Sequence, residues 1–190
     1  MDLFIGCSSK NEIPEKYKKD CEKYLNELLK NNNLIFGTDN TGLMGLSHDI
    51  AVENKRQITG VCPKMYKKDF DKLNCTKQIV TETTIERMKT IIEISDALVF
   101  LPGGFGTFAE LLLSIDSKRC HEFDKPIIIY NSSNYFEKLL IAFDKMYQEK
   151  FSNEDISNVY HISSNSEDTL EYIEKYYQKT NKTKIKTRQI

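Results

Sequence analysis

The stretch ALVFLPGGFGT, residues 97–107, decides how the rest of the chain reads. Ala97–Leu101 is an unbroken apolar run, the pattern of a strand buried on both faces, and Pro102 stops it. Gly103, Gly104 and Gly106 then permit positive φ and close backbone approach, and Phe108–Ser117 follows with helical spacing. A strand buried on both faces needs helices on both faces, which implies βαβ units around a parallel sheet.

Outward from that stretch the same alternation continues. Strands are expected at Leu3–Cys7, Leu34–Phe36, Gln57–Cys62, Gln78–Val80, Pro126–Tyr130 and Val159–Ile162. Helices are expected at Pro14–Lys30, Leu43–Asn54, Thr83–Ile94, Tyr135–Gln148 and Ser166–Tyr177, while Lys64–Thr76 reads as a polar connection. The expectation is one doubly wound α/β domain over residues 1–178 with a mainly parallel sheet. The basic segment 179–190 carries Lys179, Lys182, Lys184, Lys186 and Arg188 and reads as a frayed tail.

Composition narrows the function. The chain has 190 residues, 39% hydrophobic and 29% charged, which is ordinary for one globular domain. A net charge of −1 supplies no basic field for nucleic acid or an anionic membrane surface. Five scattered cysteines without a Cys-x-x-Cys pair suit neither a disulfide framework nor a structural zinc site. Lys10 and Glu12 interrupt the N-terminal apolar run too early for a signal peptide, and no run approaches the roughly 20 residues of a membrane span. A cytoplasmic protein with reduced thiols is expected.

Ligands of open parallel sheets sit beyond the carboxyl ends of the strands. Three strand-to-helix turns collect there: Gly6–Ser9, Gly37–Gly45 and Pro102–Thr107. The last has the makings of a phosphate cradle, with glycine N–H groups, a helix N-terminus and the Thr107 hydroxyl. Its spacing is neither a P-loop nor Gly-x-Gly-x-x-Gly. Glu110 lies one helical turn beyond Thr107, and Arg87 stands in the first half of the preceding helix, on the same sheet edge. Ser9 adds a hydroxyl, and Met44 after Gly42 an adaptable apolar wall. The three histidines, His48, His121 and His161, fit neither a catalytic triad nor a metal-ligand spacing.

Taken together, Gly42-Leu-Met-Gly45, Arg87 followed by Ser95-Asp96-Ala97, and Pro102-Gly-Gly-Phe-Gly-Thr-Phe-Ala-Glu110 resemble the LONELY GUY family of cytokinin riboside 5′-monophosphate phosphoribohydrolases. The resemblance runs from about Leu3 to Met146. It implies a Rossmann-like fold, usually a homodimer, that hydrolyses the N-glycosidic bond of an adenine-type nucleoside 5′-monophosphate, AMP or a cytokinin riboside 5′-monophosphate, to free base and ribose 5-phosphate without metal or organic cofactor. By the same resemblance Arg87 and Glu110 are the catalytic pair, and Gly103, Gly104, Phe105, Gly106 and Thr107, with Ser9, Gly42 and Met44, bind the nucleotide.

The chain departs from the family pattern at several points. Met88 stands where the family has lysine, with Lys89 next to it; Thr38 and Asp39 stand in a Gly-Gly-Gly segment. Asp116–Arg119 replaces Thr-Trp-x-Gln, and Cys7 replaces a glycine. A non-catalytic carrier of a nucleotide or phosphorylated cofactor is the alternative reading. Pyridoxal phosphate chemistry needs a pocket lysine, and none is expected in the three turns.

Overall fold

A computed structural model describes residues 1–70, 72–153 and 155–187. Seven strands form one parallel sheet: β1 (Asp2–Gly6), β2 (Asn33–Phe36), β3 (Ile58–Pro63), β4 (Lys77–Thr81), β5 (Ala97–Phe100), β6 (Ile127–Tyr130) and β7 (His161–Ser163). Their order across the sheet is β4-β3-β2-β1-β5-β6-β7. The helices are α1 (Glu15–Leu28), α2 (Gly42–Glu53), the short α3 (Lys67–Phe70), α4 (Thr84–Ile94), α5 (Phe105–Arg119), α6 (Glu137–Gln148) and α7 (Ser166–Thr187). This is the expected α/β Rossmann-like architecture.

Successive residues of the central strands face opposite sides, so each strand feeds two cores. Leu3, Ile5, Ala97, Val99 and Ile128 pack with Cys21, Leu25 and Leu28 of α1, Leu43 and Ile50 of α2, and Ile173 of α7. Phe4, Leu98, Phe100, Ile127 and Ile129 pack with Met88 and Ile91 of α4, Leu111 of α5 and Phe143 of α6. Every one of these leucines and isoleucines is buried. Each contributes about 1.5–3 kcal/mol by leaving water, offset by the chain entropy lost on folding.

The chain winds outward from β1 through β2 and β3 to β4, then returns to place β5 on β1's other side. Winding reverses between β1 and β5, and the sheet opens a crevice there.

Three local expectations are corrected. Helix α5 begins at Phe105 rather than Phe108, because Phe108 N–H donates to Gly104 O at 3.0 Å and closes a turn containing Gly106. Glycine's weak helix propensity hid that turn from the sequence. Strand β7 begins at His161 rather than Val159, since Val159 and Tyr160 N–H groups still donate to Ile156 O. Lys64–Thr76 carries a 3₁₀ turn and α3 instead of a bare connection. In the basic segment α7 continues through Thr187, and positions 188–190 lie outside the described residues.

The Lys64–Thr76 segment is tied to the sheet by Phe70, which is fully buried against β3. A Cβ on Gly60 would stand 2.5 Å from the Phe70 ring, so the glycine makes the room. Gln78 Nε2 donates to Phe70 O and Leu73 O, and Asn74 O stands 3.0 Å from His48 Nε2. Phe70→Ala is expected to cost about 3–5 kcal/mol of unfolding free energy, measured by urea denaturation. A loss below about 1 kcal/mol would mean that the segment is not anchored this way.

Candidate active site at the β1–β5 junction

The two turns that meet at the reversal are bonded to each other. Leu101 N–H donates to Gly6 O at 2.9 Å and Ser8 N–H to Pro102 O at 3.0 Å, extending the β1–β5 pairing past both strands. A Cβ on Gly6 would fall 2.7 Å from the Phe100 ring, so glycine permits this close approach.

The β2–α2 turn braces the same place. Gly42 has φ +61°, and a Cβ there would lie 2.6–2.7 Å from Ser9 and Lys10 backbone atoms. Thr41 Oγ1 donates to Ser9 O at 2.6 Å, Met44 N–H to Ser8 O at 3.1 Å, and Gly42 N–H to Asn11 Oδ1 at 2.8 Å. The left-handed glycine therefore belongs to this turn. The positive φ that Gly103, Gly104 and Gly106 permit is not adopted, and Gly104 has φ −88°.

Two long helices thus start at the junction with different fates. The first turn of α2 spends its Gly42 and Met44 N–H groups on the β1 turn. The N-cap of α5 is Gly104, which has no side chain to cap it, and the N–H groups of Phe105, Gly106 and Thr107 precede the first intrahelical bond. Nothing lies within 4 Å of where a Cβ would be on Gly104 or Gly106, so a ligand can approach the backbone there. A Cβ on Gly103 would instead collide with Thr107 Oγ1 at 2.0 Å; this glycine seats the threonine. Tyr135 Oη donates to Gly103 O at 2.5 Å and props the loop from behind.

Arg87 reaches the crevice because α4 starts at a fixed point. Thr83 caps it, its Oγ1 accepting Glu86 N–H at 3.1 Å, while Glu86 Oε2 accepts Glu82 N–H at 2.9 Å. Arg87 Nη2 pairs with Glu110 Oε1, with only 14% and 16% of the two side chains exposed. Its Nη1 lies against Gly37 at the end of β2, 2.9 Å from where a Cβ would stand. Arg87 Nε is buried without a partner among the described residues, an orphan of the kind that a bound hydroxyl or water satisfies. Burial pulls the guanidinium below its usual pKa. A buried ion pair of this kind is a poor stabiliser of the fold but leaves each charge oriented and little hydrated.

The crevice has a volume of about 740 Å³. Of the residues expected in the site, Ser9, Met44, Arg87, Gly104, Phe105, Gly106, Thr107 and Glu110 line it. Gly42 and Gly103 lie just behind the lining, shaping the turns that do. Phe105 is 97% exposed, so it sits at the mouth rather than in the core.

The lining also includes residues outside the three turns, which sequence reasoning missed: Lys10, Pro63, Tyr66, Lys72, Leu73 and Thr84; Thr38, Asp39 and Asn40 line it from the expected Gly37–Gly45 turn without having been singled out as site residues. The three turns themselves contain no lysine; Lys10 and Lys72 border the crevice from outside them. Lys10 directly follows Ser9, and Lys72 arrives with the folded Lys64–Thr76 segment, a placement no local pattern encodes.

The departures can be located as well. Met88 is buried in the core beneath α4, while Lys89 is exposed beside Glu93 and does not line the crevice. Asp116–Arg119 lies at the far end of α5, where buried Lys118 donates from Nζ to Lys125 O at 2.9 Å. Cys7 lines the crevice as a neutral thiol, its pKa pushed well up by burial, so it is not a thiolate nucleophile. No histidine lines the crevice, and among the described residues no group of three or more His, Cys, Asp or Glu stands together to hold a metal ion. No described helix is long and apolar enough to cross a membrane.

Comparison with known proteins bears on the family and the fold. The family model described as "Possible lysine decarboxylase" matches residues 44–173. The Arabidopsis thaliana cytokinin riboside 5′-monophosphate phosphoribohydrolase LOG2 is 27% identical over 179 residues, covering 93% of this chain and 83% of that protein. Among solved structures, the Moco carrier protein of Chlamydomonas reinhardtii superposes with a TM-score of 0.65 at 18% identity, covering 94% of this chain and 98% of that one. The molybdenum cofactor binding protein of Rippkaea orientalis does so with a TM-score of 0.65 at 18% identity, covering 92% and 95%. At such identity the two structures share the fold. With its model matched across most of the chain, the protein belongs to the lysine-decarboxylase-like LONELY GUY family.

Proposed function

We propose that the protein is a nucleoside 5′-monophosphate phosphoribohydrolase, releasing a free base and ribose 5-phosphate. The observation that carries this reading is a buried Arg87–Glu110 pair one helical turn from an uncapped, open helix N-terminus in a single crevice. The uncapped first turn of α5 supplies N–H donors and the positive end of the helix dipole to the 5′-phosphate.

With the phosphate there, the ribose lies along α5 toward Glu110. As the bond between C1′ and the base nitrogen breaks, its electron pair leaves with the base and C1′ gains oxocarbenium-like positive charge. Ionised Glu110 stabilises that charge and takes a proton from the water whose oxygen bonds to C1′. The proton is then returned to the departing base, so atoms and charge balance. Arg87 holds Glu110 ionised and aimed, and its free donor is available to a ribose hydroxyl. We also propose that two copies of the chain form a homodimer, the state that the family resemblance implies.

The alternative is a carrier that binds a phosphorylated ligand without cleaving it. The buried acid–base pair favours the hydrolase, because a carrier needs no carboxylate beside the ligand.

Glu110→Gln removes the charge while keeping the size of the side chain. Its kcat is expected to fall about 10³-fold, with nucleotide affinity changed only a few-fold; full turnover in this variant would overturn the assignment of Glu110. Nucleosides lacking the 5′-phosphate are expected to lose at least about 100-fold in kcat/KM. Equal rates for adenosine and its 5′-monophosphate would contradict a phosphate site at α5.

A further inference from the structure

The crevice extends well past the catalytic pair. Strand order puts the phosphate end over β5, and β2 lies two strand spacings away, about 9.5 Å. That is the scale separating the phosphate and base of one nucleotide. Arg87 spans the interval, touching Glu110 on α5 and Gly37 at the end of β2. The base accordingly stands over the ends of β2 and β3, among Met44, Pro63, Tyr66 and Leu73.

Within these apolar walls one charged side chain comes from β2's own turn. Thr38 has φ +75°, an outlier for a β-branched residue, and its methyl sits over Gly60, 2.8 Å from where a Cβ would be. Strain of this kind is retained where surrounding contacts over-determine it. Past that turn Asp39 borders the crevice, half-buried. Its Oδ1 accepts Thr41 N–H at 3.0 Å and lies 2.6 Å from Thr41 Oγ1, whose one hydrogen is shared between Oδ1 and Ser9 O, and its own N–H points at Met44 Sδ. Oδ2 has no protein donor among the described residues. The carboxylate is thus fixed on one oxygen and open on the other.

The geometry points to Asp39, where this chain departs from the family pattern, as the residue that would select the 6-aminopurine the family resemblance implies, by accepting a hydrogen bond from its exocyclic amine. The inference rests on the nucleotide reading above and deepens it. A carboxylate accepts and cannot donate, so a 6-oxo group in the same place meets acceptor against acceptor. A fully alkylated amine offers no hydrogen and adds apolar bulk against the charge. Rejection of an analogue that leaves a fixed polar group unpaired is stronger than rejection by fit alone.

The test compares AMP, IMP and N6,N6-dimethyl-AMP on the wild-type protein, Asp39→Asn and Asp39→Ala. Asp39→Asn keeps an oxygen for Thr41 and turns an amide donor toward the base, so it decides the matter even if Asp39→Ala does not fold. The wild type is expected to prefer AMP over both analogues about 10- to 100-fold in kcat/KM. Asp39→Asn should reverse the AMP-to-IMP order, and Asp39→Ala should bring all three within a few-fold.

The inference is overturned if the wild type treats the three alike, or if its preference survives unchanged in both variants. Calorimetric binding of the same nucleotides separates the two readings. AMP-selective binding that Asp39→Asn reverses, without turnover, would support Asp39 and reject the hydrolase. Turnover with a base preference indifferent to position 39 would reject Asp39 alone. Failure to bind any of the three would overturn both.

Discussion

The pairing of β1 with β5 is the constraint on which the rest depends. The chain winds one way from β1 to β4 and the other way from β5 to β7, so the first strand and the fifth must lie side by side at the centre. Gly6 lets them close against the Phe100 ring, and the Ser8–Pro102 hydrogen bond carries the pairing into the turns. A side chain at position 6 would push the strands apart and separate the β1 turn from the α5 N-terminus. The two core layers then follow from strand alternation, and the crevice follows from the reversal itself.

The crevice is electrostatically asymmetric along its length. At the β5 end are uncapped N–H groups and a helix dipole's positive end; in the middle is a buried ion pair; at the β2 end is a fixed carboxylate. An anion is attracted to the first and repelled by the last. A ligand with a phosphate at one end and hydrogen-bond donors at the other therefore has one favoured orientation. The neutral Cys7 thiol and the absence of histidine from the lining leave Glu110 as the carboxylate beside the expected ribose.

Much of this was legible in the sequence because it is periodic or local. All seven strands and six longer helices follow from apolar runs and helical spacing, and Arg87, Thr107 and Glu110 from placing those elements on one sheet edge. That shared edge offered Arg87 as a partner for Glu110 or for substrate, and the structure pairs it with Glu110. What the sequence hid is tertiary. Lys64–Thr76 looks polar, yet Phe70 on Gly60 folds it so that Tyr66, Lys72 and Leu73 wall the crevice. Asp39 gives no signal in isolation; its role depends on the left-handed Thr38 and on Thr41. The glycines of the α5 turn were visible; of the two freedoms they permit, close backbone approach is used and positive φ is not. They leave space above the helix start and seat Thr107, without entering positive φ.

The crevice is proposed to break the bond between a base and a phosphorylated ribose. Product analysis of the purified protein incubated with AMP tests it most directly. Adenine and ribose 5-phosphate are expected in equal amounts, with no adenosine and no inorganic phosphate. Recovery of intact AMP bound to the protein, or formation of adenosine and phosphate, would contradict it.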